Sequence, residues 1–161
     1  LDIAWRMRQR LATTRDPRER YVTIADKLCS AGRFGRKTGQ GWYQYEETSA
    51  EGKADPFVAD LIESCAREAG VVRRPVSDDE IISRALGAIV NEAMLVLEEG
   101  IARSKADIDL VLVNGYGFPA FKGGPLHWAE RQGAEALTLM LEMVGRAQGF
   151  GFRRGADLIA H

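Results

Sequence analysis

The sequence predicts an all-α protein of about seven helices. Apolar residues recur at helical spacing of three or four positions in most of the chain. Three of these segments are preceded by Asp55, Ser77 and Ser104, which are typical helix-capping residues. One short segment, Trp42–Tyr45, alternates as an extended strand does. Helices therefore dominate the prediction, and almost no sheet is expected.

The first forty-five residues predict two helices followed by a glycine-rich loop. Residues 1–12 place Leu1, Trp5 and Arg8 on one face, and a second helix from Tyr21 is expected to end at Gly32. Four glycines between 32 and 41 exclude a regular helix and predict a shaped loop. Because the chain opens without Met and already in helical pattern, we expect it to be cut from something longer.

The third and fourth helices have the clearest start signals. Asp55 precedes Pro56 at the first turn, and Gly70 is expected to end that helix. Ser77 and Glu80 form a capping-box pattern, in which the serine accepts from the backbone three residues on and Glu80 reaches back. The helix that follows carries an apolar stripe as far as Gly100 and is predicted to be the longest element.

The remaining helices are shorter. Ser104 is expected to cap a helix that stops before Asn114–Gly115, because the glycines and prolines between 115 and 125 indicate a loop. Pro125 then opens a further helix, and the last one covers about 134–146. The predicted organisation is residues 1–45 as a helical segment with a connector, 46–54 as a linker, 55–148 as a second helical unit and 149–161 as a tail.

Composition excludes several classes of protein. A net charge of -1 with 45% hydrophobic residues gives no bulk signal for nucleic acid. Residues 1–45 hold ten cations against four acids, but no interleaved aromatic platform accompanies them, so nucleic-acid binding ranks last. No membrane span or signal sequence is predicted. Cys29 and Cys65 are isolated in apolar patterns, and both are predicted to be reduced core residues.

The glycine-rich loop is a candidate phosphate site. Its glycine spacing does not fit a dinucleotide turn, and Lys37–Thr38 precedes Gly39, which does not fit a Walker loop. Arg33, Arg36 and Lys37 could still help the loop backbone to hold an anion such as a CoA phosphate. We favour the alternative that the loop is a rigid connector whose charges face solvent.

Few other residues suggest chemistry. With only two histidines, His127 and the terminal His161, neither a metal site nor a catalytic triad is expected. His127 is predicted to lie at the surface or to pack at a helix start, rather than to act as a general acid or base. Asn91 lies in an apolar helix and, as a buried amide, needs partners; we expect it to bond the loop backbone around 115–124. Ser83 is a similar polar residue nearer the start of that helix.

Several motifs resemble the C-terminal region of 3-hydroxyacyl-CoA dehydrogenases, as in multifunctional β-oxidation enzymes. The segment Gly32–Tyr45, GRFGRKTGQGWYQY, resembles the end of the first helical repeat of that family. The second repeat is matched by four further motifs: Asn91–Ala102, Asp107–Asp109, Gly115–Pro119 and Lys122–Pro125. The resemblance implies an all-α fold of the kind shared with the C-terminal domain of 6-phosphogluconate dehydrogenase.

The resemblance also implies a reaction, the NAD-dependent oxidation of an L-3-hydroxyacyl-CoA to the 3-oxoacyl-CoA, in an enzyme that also carries an enoyl-CoA hydratase domain. The family's NAD site and its His/Glu pair belong to a Rossmann domain, for which no position here matches. The family's catalytic asparagine has Ser83 at the corresponding place in this repeat, which implies a degenerate site. No catalytic or cofactor-binding residue is therefore assigned, and the fragment is expected to be inactive alone.

The expected partners are the acyl-CoA substrate through the whole enzyme, the enzyme's own Rossmann domain and its first helical repeat. The expected location is the cytoplasm of a bacterium, or the peroxisome if the source is eukaryotic. Two other functions stay open: a helical dimerisation module that uses the face around Trp5, and a CoA-phosphate module that uses the cations of the glycine-rich loop.

Overall fold

The computed structural model describes residues 1–46, 49 and 51–156, and these ranges form an all-α protein, as predicted. Seven α-helices are present in the described residues: α1 Asp2–Leu11, α2 Ile24–Ser30, α3 Pro56–Glu68, α4 Asp78–Glu98, α5 Lys105–Tyr116, α6 Pro125–Gln132 and α7 Ala134–Gln148. Two short strands, β1 Gln44–Tyr45 and β2 Gly52–Lys53, pair antiparallel with Gln44 opposite Lys53. None of the helices in these ranges combines the length and apolar character needed to cross a membrane.

The chain divides into two compact units, residues 1–75 and 76–161. In the first unit α2 packs against both α1 and α3. Its buried residues include Leu28 and Cys29 of α2 and Val58 and Cys65 of α3. Both cysteines are free and buried, which confirms the prediction that they are reduced core residues. Burial raises the pKa of the Cys29 thiol, so this sulfur stays protonated and behaves as a small apolar group.

The predicted linker 46–54 contains a strand. Gly52 and Lys53 complete the hairpin with β1, and Gly52 lies so close to Tyr43 that a side-chain carbon there would sit 2.6 Å from the tyrosine Cβ. The polar composition of the segment concealed this pairing, while positions 47, 48 and 50 lie outside the described residues. Helix α3 belongs to the first compact unit, whereas the sequence analysis grouped it with the second repeat. The repeat boundary itself stays a prediction, since a compact unit and a repeat need not end at the same residue.

The second unit is built on α4. This helix packs against α6 and α7, and α5 packs against α6. The core joins all four helices through Val90, Ala93, Met94, Ile108, Leu126, Ala129, Leu137 and Leu141. Gly87 permits the close approach of α7, because a side-chain carbon at this position would lie 2.7 Å from the Cγ of Met140 and 2.8 Å from a methyl of Val144.

The predicted caps are confirmed. The side chain of Asp55 accepts a hydrogen bond from the N–H of Phe57, Ser77 accepts from Glu80, and Ser104 accepts from Asp107. The carboxylate of Glu80 also forms an ion pair with Arg84 at 2.7 Å. These caps fix the first turn of α3, α4 and α5.

Helix α5 is longer than predicted. It continues through Asn114 and Gly115 to Tyr116, and Asn114 donates from its side chain to the carbonyl of Leu110 at 2.8 Å. The helix ends at Gly117, whose φ of 73° is left-handed, and the N–H of Phe118 returns to the carbonyl of Leu112 at 3.0 Å. The expected break at Asn114–Gly115 is therefore wrong, because Gly117 supplies the stop. Within the predicted loop, Ala120–Lys122 forms one turn of 3-10 helix.

Two leucines of α7 provide a test of this core. Leu141 is fully buried, and Leu139 on the same helix is 60% exposed. We expect Leu141→Ala to lower the free energy of unfolding by roughly 2–5 kcal/mol, because it removes contacts and leaves a cavity. Leu139→Ala should change it by less than about 0.5 kcal/mol. Urea unfolding followed by circular dichroism measures both, and equal losses would contradict the assignment of the core.

Candidate functional site

The glycine-rich loop after α2 is closed by its own hydrogen bonds. The N–H of Gly35 donates to the carbonyl of Gln40 at 2.7 Å, and the two residues form an isolated antiparallel bridge. The hydroxyl of Thr38 accepts from the N–H of Phe34 at 3.0 Å and lies 2.9 Å from the carbonyl of Gln40. Residues Arg36–Thr38 form a 3-10 turn between these contacts. The loop is thus shaped, as the glycine spacing predicted.

Arg33 anchors this loop to the start of α3. Its side chain is 8% exposed and forms an ion pair with the carboxylate of Asp55, whose own side chain is 3% exposed. The guanidinium also donates to the carbonyl of Gly41 at 3.2 Å and to the side-chain oxygen of Gln40 at 2.9 Å. Its carbon lies 4.9 Å from the centre of the Phe57 ring. Groups of the protein itself therefore surround the guanidinium.

Asp55 has two tasks in this arrangement. One carboxylate oxygen caps α3 by accepting from the N–H of Phe57 at 3.0 Å, and the other meets Arg33. Burial by itself would raise the pKa of Asp55, but the hydrogen bonds from Arg33 and Phe57 outweigh it and hold the pKa below the ordinary value of 3.8. The carboxylate therefore stays charged in the folded protein at neutral pH.

The other two cations of the predicted anion site have different neighbours. The guanidinium carbon of Arg36 lies 5.3 Å from the centre of the Tyr45 ring. The ammonium of Lys37 pairs with the carboxylate of Asp2 at 2.5 Å and lies 5.3 Å from the ring of Phe34. Both residues are exposed, whereas Arg33 is buried. An anion contact at these residues stays a prediction, and the contacts of Arg33 favour a structural role for that residue.

The two polar residues of α4 that the sequence singled out, Ser83 and Asn91, differ in burial. Ser83 is half-buried, one helical turn before Gly87 and its contact with α7. Asn91 is 6% exposed and uses both ends of its amide. Its nitrogen donates to the carbonyl of Arg153 at 2.9 Å, and its oxygen accepts from the N–H of Gly155 at 3.0 Å. The expectation that Asn91 bonds the loop around 115–124 is therefore wrong, because its hydrogen-bond partners lie in the chain after α7.

A buried carboxylate holds the start of α6, directly after that loop. Asp109 of α5 is 8% exposed and accepts from the N–H of Leu126 at 2.8 Å and from that of His127 at 3.0 Å. It thereby caps α6 from a neighbouring helix, and Gly124 makes room, since a side-chain carbon there would lie 2.3 Å from the Asp109 Cβ. His127 is exposed at the helix start, as predicted.

Sequence reasoning noted Asp109 only within a motif and assigned it no role. A signal was present, because Gly123-Gly124-Pro125 opens a helix without a local capping side chain. The first N–H groups of such a helix need an acceptor, which predicts a carboxylate from elsewhere in the chain.

An apolar groove runs along the other side of α4. It has a volume of about 990 Å³ and lies between α4 and α5 with the turn that follows α5. Its walls are mainly aliphatic and aromatic, and they include Ile89, Ala93, Val96, Ile108, Val111, Leu112 and Phe118. Ile89 and Val111 are 38% and 55% exposed, so the groove is open. The periodicity of α5 did not reveal this second apolar face.

The fold and its buried polar contacts indicate a class of domain. The described residues form α-helices, the buried side chains of Arg33, Asp55, Asn91 and Asp109 bond main chain or one another, and the sheet in these ranges is a hairpin of two short strands. A dinucleotide fold needs a parallel sheet with a glycine turn at a strand end. The class is therefore a helical domain with an open apolar groove on one face.

Comparison with known proteins gives the family. The profile of the 3-hydroxyacyl-CoA dehydrogenase C-terminal domain matches residues 1–45 and 81–159. A peroxisomal bifunctional enzyme of Danio rerio is 38% identical over 154 residues. Those of Pongo abelii and Homo sapiens are 39% and 38% identical. In each case the match covers 88% of this chain and 21% of the relative, so the chain spans about a fifth of the relatives' length. The chain belongs to the 3-hydroxyacyl-CoA dehydrogenase C-terminal domain family.

The ion pair of Arg33 and Asp55 gives a second test. We expect Arg33→Met to lower the melting temperature much more than Arg36→Met in the same loop, because the first substitution leaves a buried carboxylate without its cation. Differential scanning calorimetry at neutral pH measures both. Equal effects would contradict the anchoring role of Arg33.

The same pair sets a pH dependence. Because folding lowers the pKa of Asp55, its contribution to stability is present above the ordinary carboxyl pKa of 3.8 and is lost as the pH falls through the lower folded value. Asp55→Asn keeps a capping side chain but removes this titration, so the difference in stability between wild type and variant should shrink below about pH 3.8. A difference that stays constant down to acid pH would contradict the linkage.

Proposed function

We propose that this chain is the C-terminal part of an NAD-dependent 3-hydroxyacyl-CoA dehydrogenase that acts in fatty-acid β-oxidation. The observation that carries the proposal is the match of one family profile to two segments, residues 1–45 and 81–159, together with relatives that are bifunctional enzymes. The whole enzyme would oxidise an L-3-hydroxyacyl-CoA to the 3-oxoacyl-CoA. A companion enoyl-CoA hydratase activity is proposed from the word bifunctional in the relatives' names and from the motif resemblance.

The residues described here do not fit an NAD site. In the loop at 32–41, Gly35 pairs with Gln40 in a bridge, and Gly35 and Gly39 flank a 3-10 turn. No parallel sheet is present among the described elements to place a helix N-terminus at a pyrophosphate. No step of hydride transfer is therefore assigned to this chain. We place the cofactor and the acid–base residues in a Rossmann domain of the whole enzyme.

The role proposed for this chain is structural support of that enzyme. Ser83 stands where the family's first repeat has an asparagine, and a hydroxyl cannot supply both an amide donor and a carbonyl acceptor in that geometry. The open apolar groove between α4 and α5 supplies the complementary observation, since a face of this kind is typical of a permanent interface. We propose that the first helical repeat of the same enzyme covers it.

The proposed location follows the relatives. They are named peroxisomal enzymes, so a peroxisomal location is proposed for a eukaryotic source and a cytoplasmic one for a bacterial source.

A turnover assay of the purified 161-residue chain tests whether the cofactor site lies in another domain of the whole enzyme. Mixed with NAD⁺ and an L-3-hydroxyacyl-CoA, the chain should produce no NADH above the rate of a buffer blank, because none of its described residues forms the cofactor site. Addition of a full-length bifunctional relative to the same mixture is the positive control. Production of NADH by the chain alone would overturn the proposal.

The groove gives a separate test. Val111→Asp places a charge on a wall that is 55% exposed, so the stability of the chain alone should change little. Binding of a hydrophobic fluorescent dye, and any concentration-dependent association seen by sedimentation, should both fall.

Leu139→Asp, at a residue of similar exposure on α7, is the matched control and should change neither measurement. If both variants bind the dye as wild type does, the groove is not the surface that binds the dye. If wild type associates and only substitutions of the exposed Ile3 and Met7 on α1 abolish association, the rival dimerisation surface near Trp5 is favoured instead.

A further inference from the structure

The chain that follows α7 lies along α4 as an extended segment, Phe152–Ala156, which we call the strap. The side chain of Asn91 bonds the main chain of the strap at two points. Its nitrogen donates to the carbonyl of Arg153 at 2.9 Å, and its oxygen accepts from the N–H of Gly155 at 3.0 Å. Farther along α4, the carboxylate of Glu98 accepts from the N–H of Ala156 at 3.0 Å. Three main-chain groups of a five-residue segment are thus bound by side chains of one helix.

Two residues of the strap, Phe152 and Gly155, pack closely against the neighbouring helices. Gly155 is buried against α4, and a side-chain carbon there would lie 2.6 Å from the Cβ of Met94 and 3.2 Å from the backbone nitrogen of Leu95. Phe152 lies over Gly145 of α7, where a side-chain carbon would meet the phenyl ring at 2.9 Å. Each end of the strap therefore has a place that admits its own residue type, an aromatic ring at α7 and a glycine at α4.

The charged side chains of the strap reach both helices. Arg153 pairs with Glu99 beyond the end of α4, and Arg154 donates to the hydroxyl of Thr138 on α7 at 3.3 Å. Both arginines are exposed, so these contacts add less than the buried amide does. Because Asn91 is buried, losing the strap would leave its donor and acceptor unpaired unless water replaced them.

We propose that the seam between α4 and α7 is a peptide-binding site whose ligand is an extended segment with the pattern Phe-x-x-Gly. Main-chain hydrogen bonds to Asn91 supply the affinity, and the places for Phe152 and Gly155 supply the selectivity. In this chain the strap is that ligand, and it fastens α4 to α7. The inference is independent of the enzymatic proposal, since it rests on contacts within residues 76–156.

Hydrogen exchange on the 161-residue chain tests the proposal. Asn91→Ala should raise the exchange rate of the Gly155 amide at least tenfold while the amides at the centre of α7 stay protected. Asn114→Ala is the matched control, because this asparagine bonds only within α5 in the contacts described, and it should leave Gly155 unchanged. A Gly155 amide as protected in Asn91→Ala as in wild type would overturn the assignment.

Selectivity is tested in the same 161-residue chain and with a peptide added in trans. Gly155→Val should release the strap amides as Asn91→Ala does, whereas Arg154→Ala should not. A synthetic peptide of residues 149–156 added to the Gly155→Val variant should raise its melting temperature, and the same peptide with Val at position 155 should not. Stabilisation by both peptides, or by neither while the variant remains folded, would contradict a Phe-x-x-Gly site.

Discussion

The contact of α4 with α7 is the interaction on which the second unit depends. Gly87 lets the two helices approach, and Val90, Met94 and Leu141 fill the interface so completely that all three are fully buried. Close-packed interiors tolerate few changes of volume, so a side chain at Gly87 would force the helices apart. The strap and α6 both pack against α4, and Asp109 caps α6 from α5.

The first unit depends in the same way on one ion pair. A buried salt bridge adds little to stability over an apolar pair of the same size, but it is specific about geometry. Arg33 meets Asp55, Gln40 and Gly41 at once, so the loop, its bridge and the start of α3 can close in only one arrangement. The loop is therefore ordered although it is rich in glycine. The guanidinium of Arg33 is already bonded within the protein, so it is not available to a ligand in solution.

The helices could be predicted from sequence because their signals are local. The caps at Ser77 and Ser104 and the apolar stripe of α4 are each contained within a few turns, and they gave α4 almost to its ends. The wrong expectations concern contacts between distant residues. Asn91 was correctly expected to be buried, but its partners are 62 and 64 residues away, and no spacing rule relates them. The predicted α5 is too short because the sequence pattern places the end of the helix before Gly115, whereas Gly117 ends it.

The same distinction explains what could be said of function. Motif resemblance identified the family, whereas the residues that bear charge or amide groups could not be assigned roles until their partners were known. Arg33, Asn91 and Asp109 are all buried, and each bonds the main chain of a segment that has no regular structure or begins a helix. Polar groups used in this way satisfy backbone atoms and hold loops in place. The open groove of α4 and α5 is lined by none of these three residues, so the groups that hold the loops in place are distinct from the apolar surface that stays open.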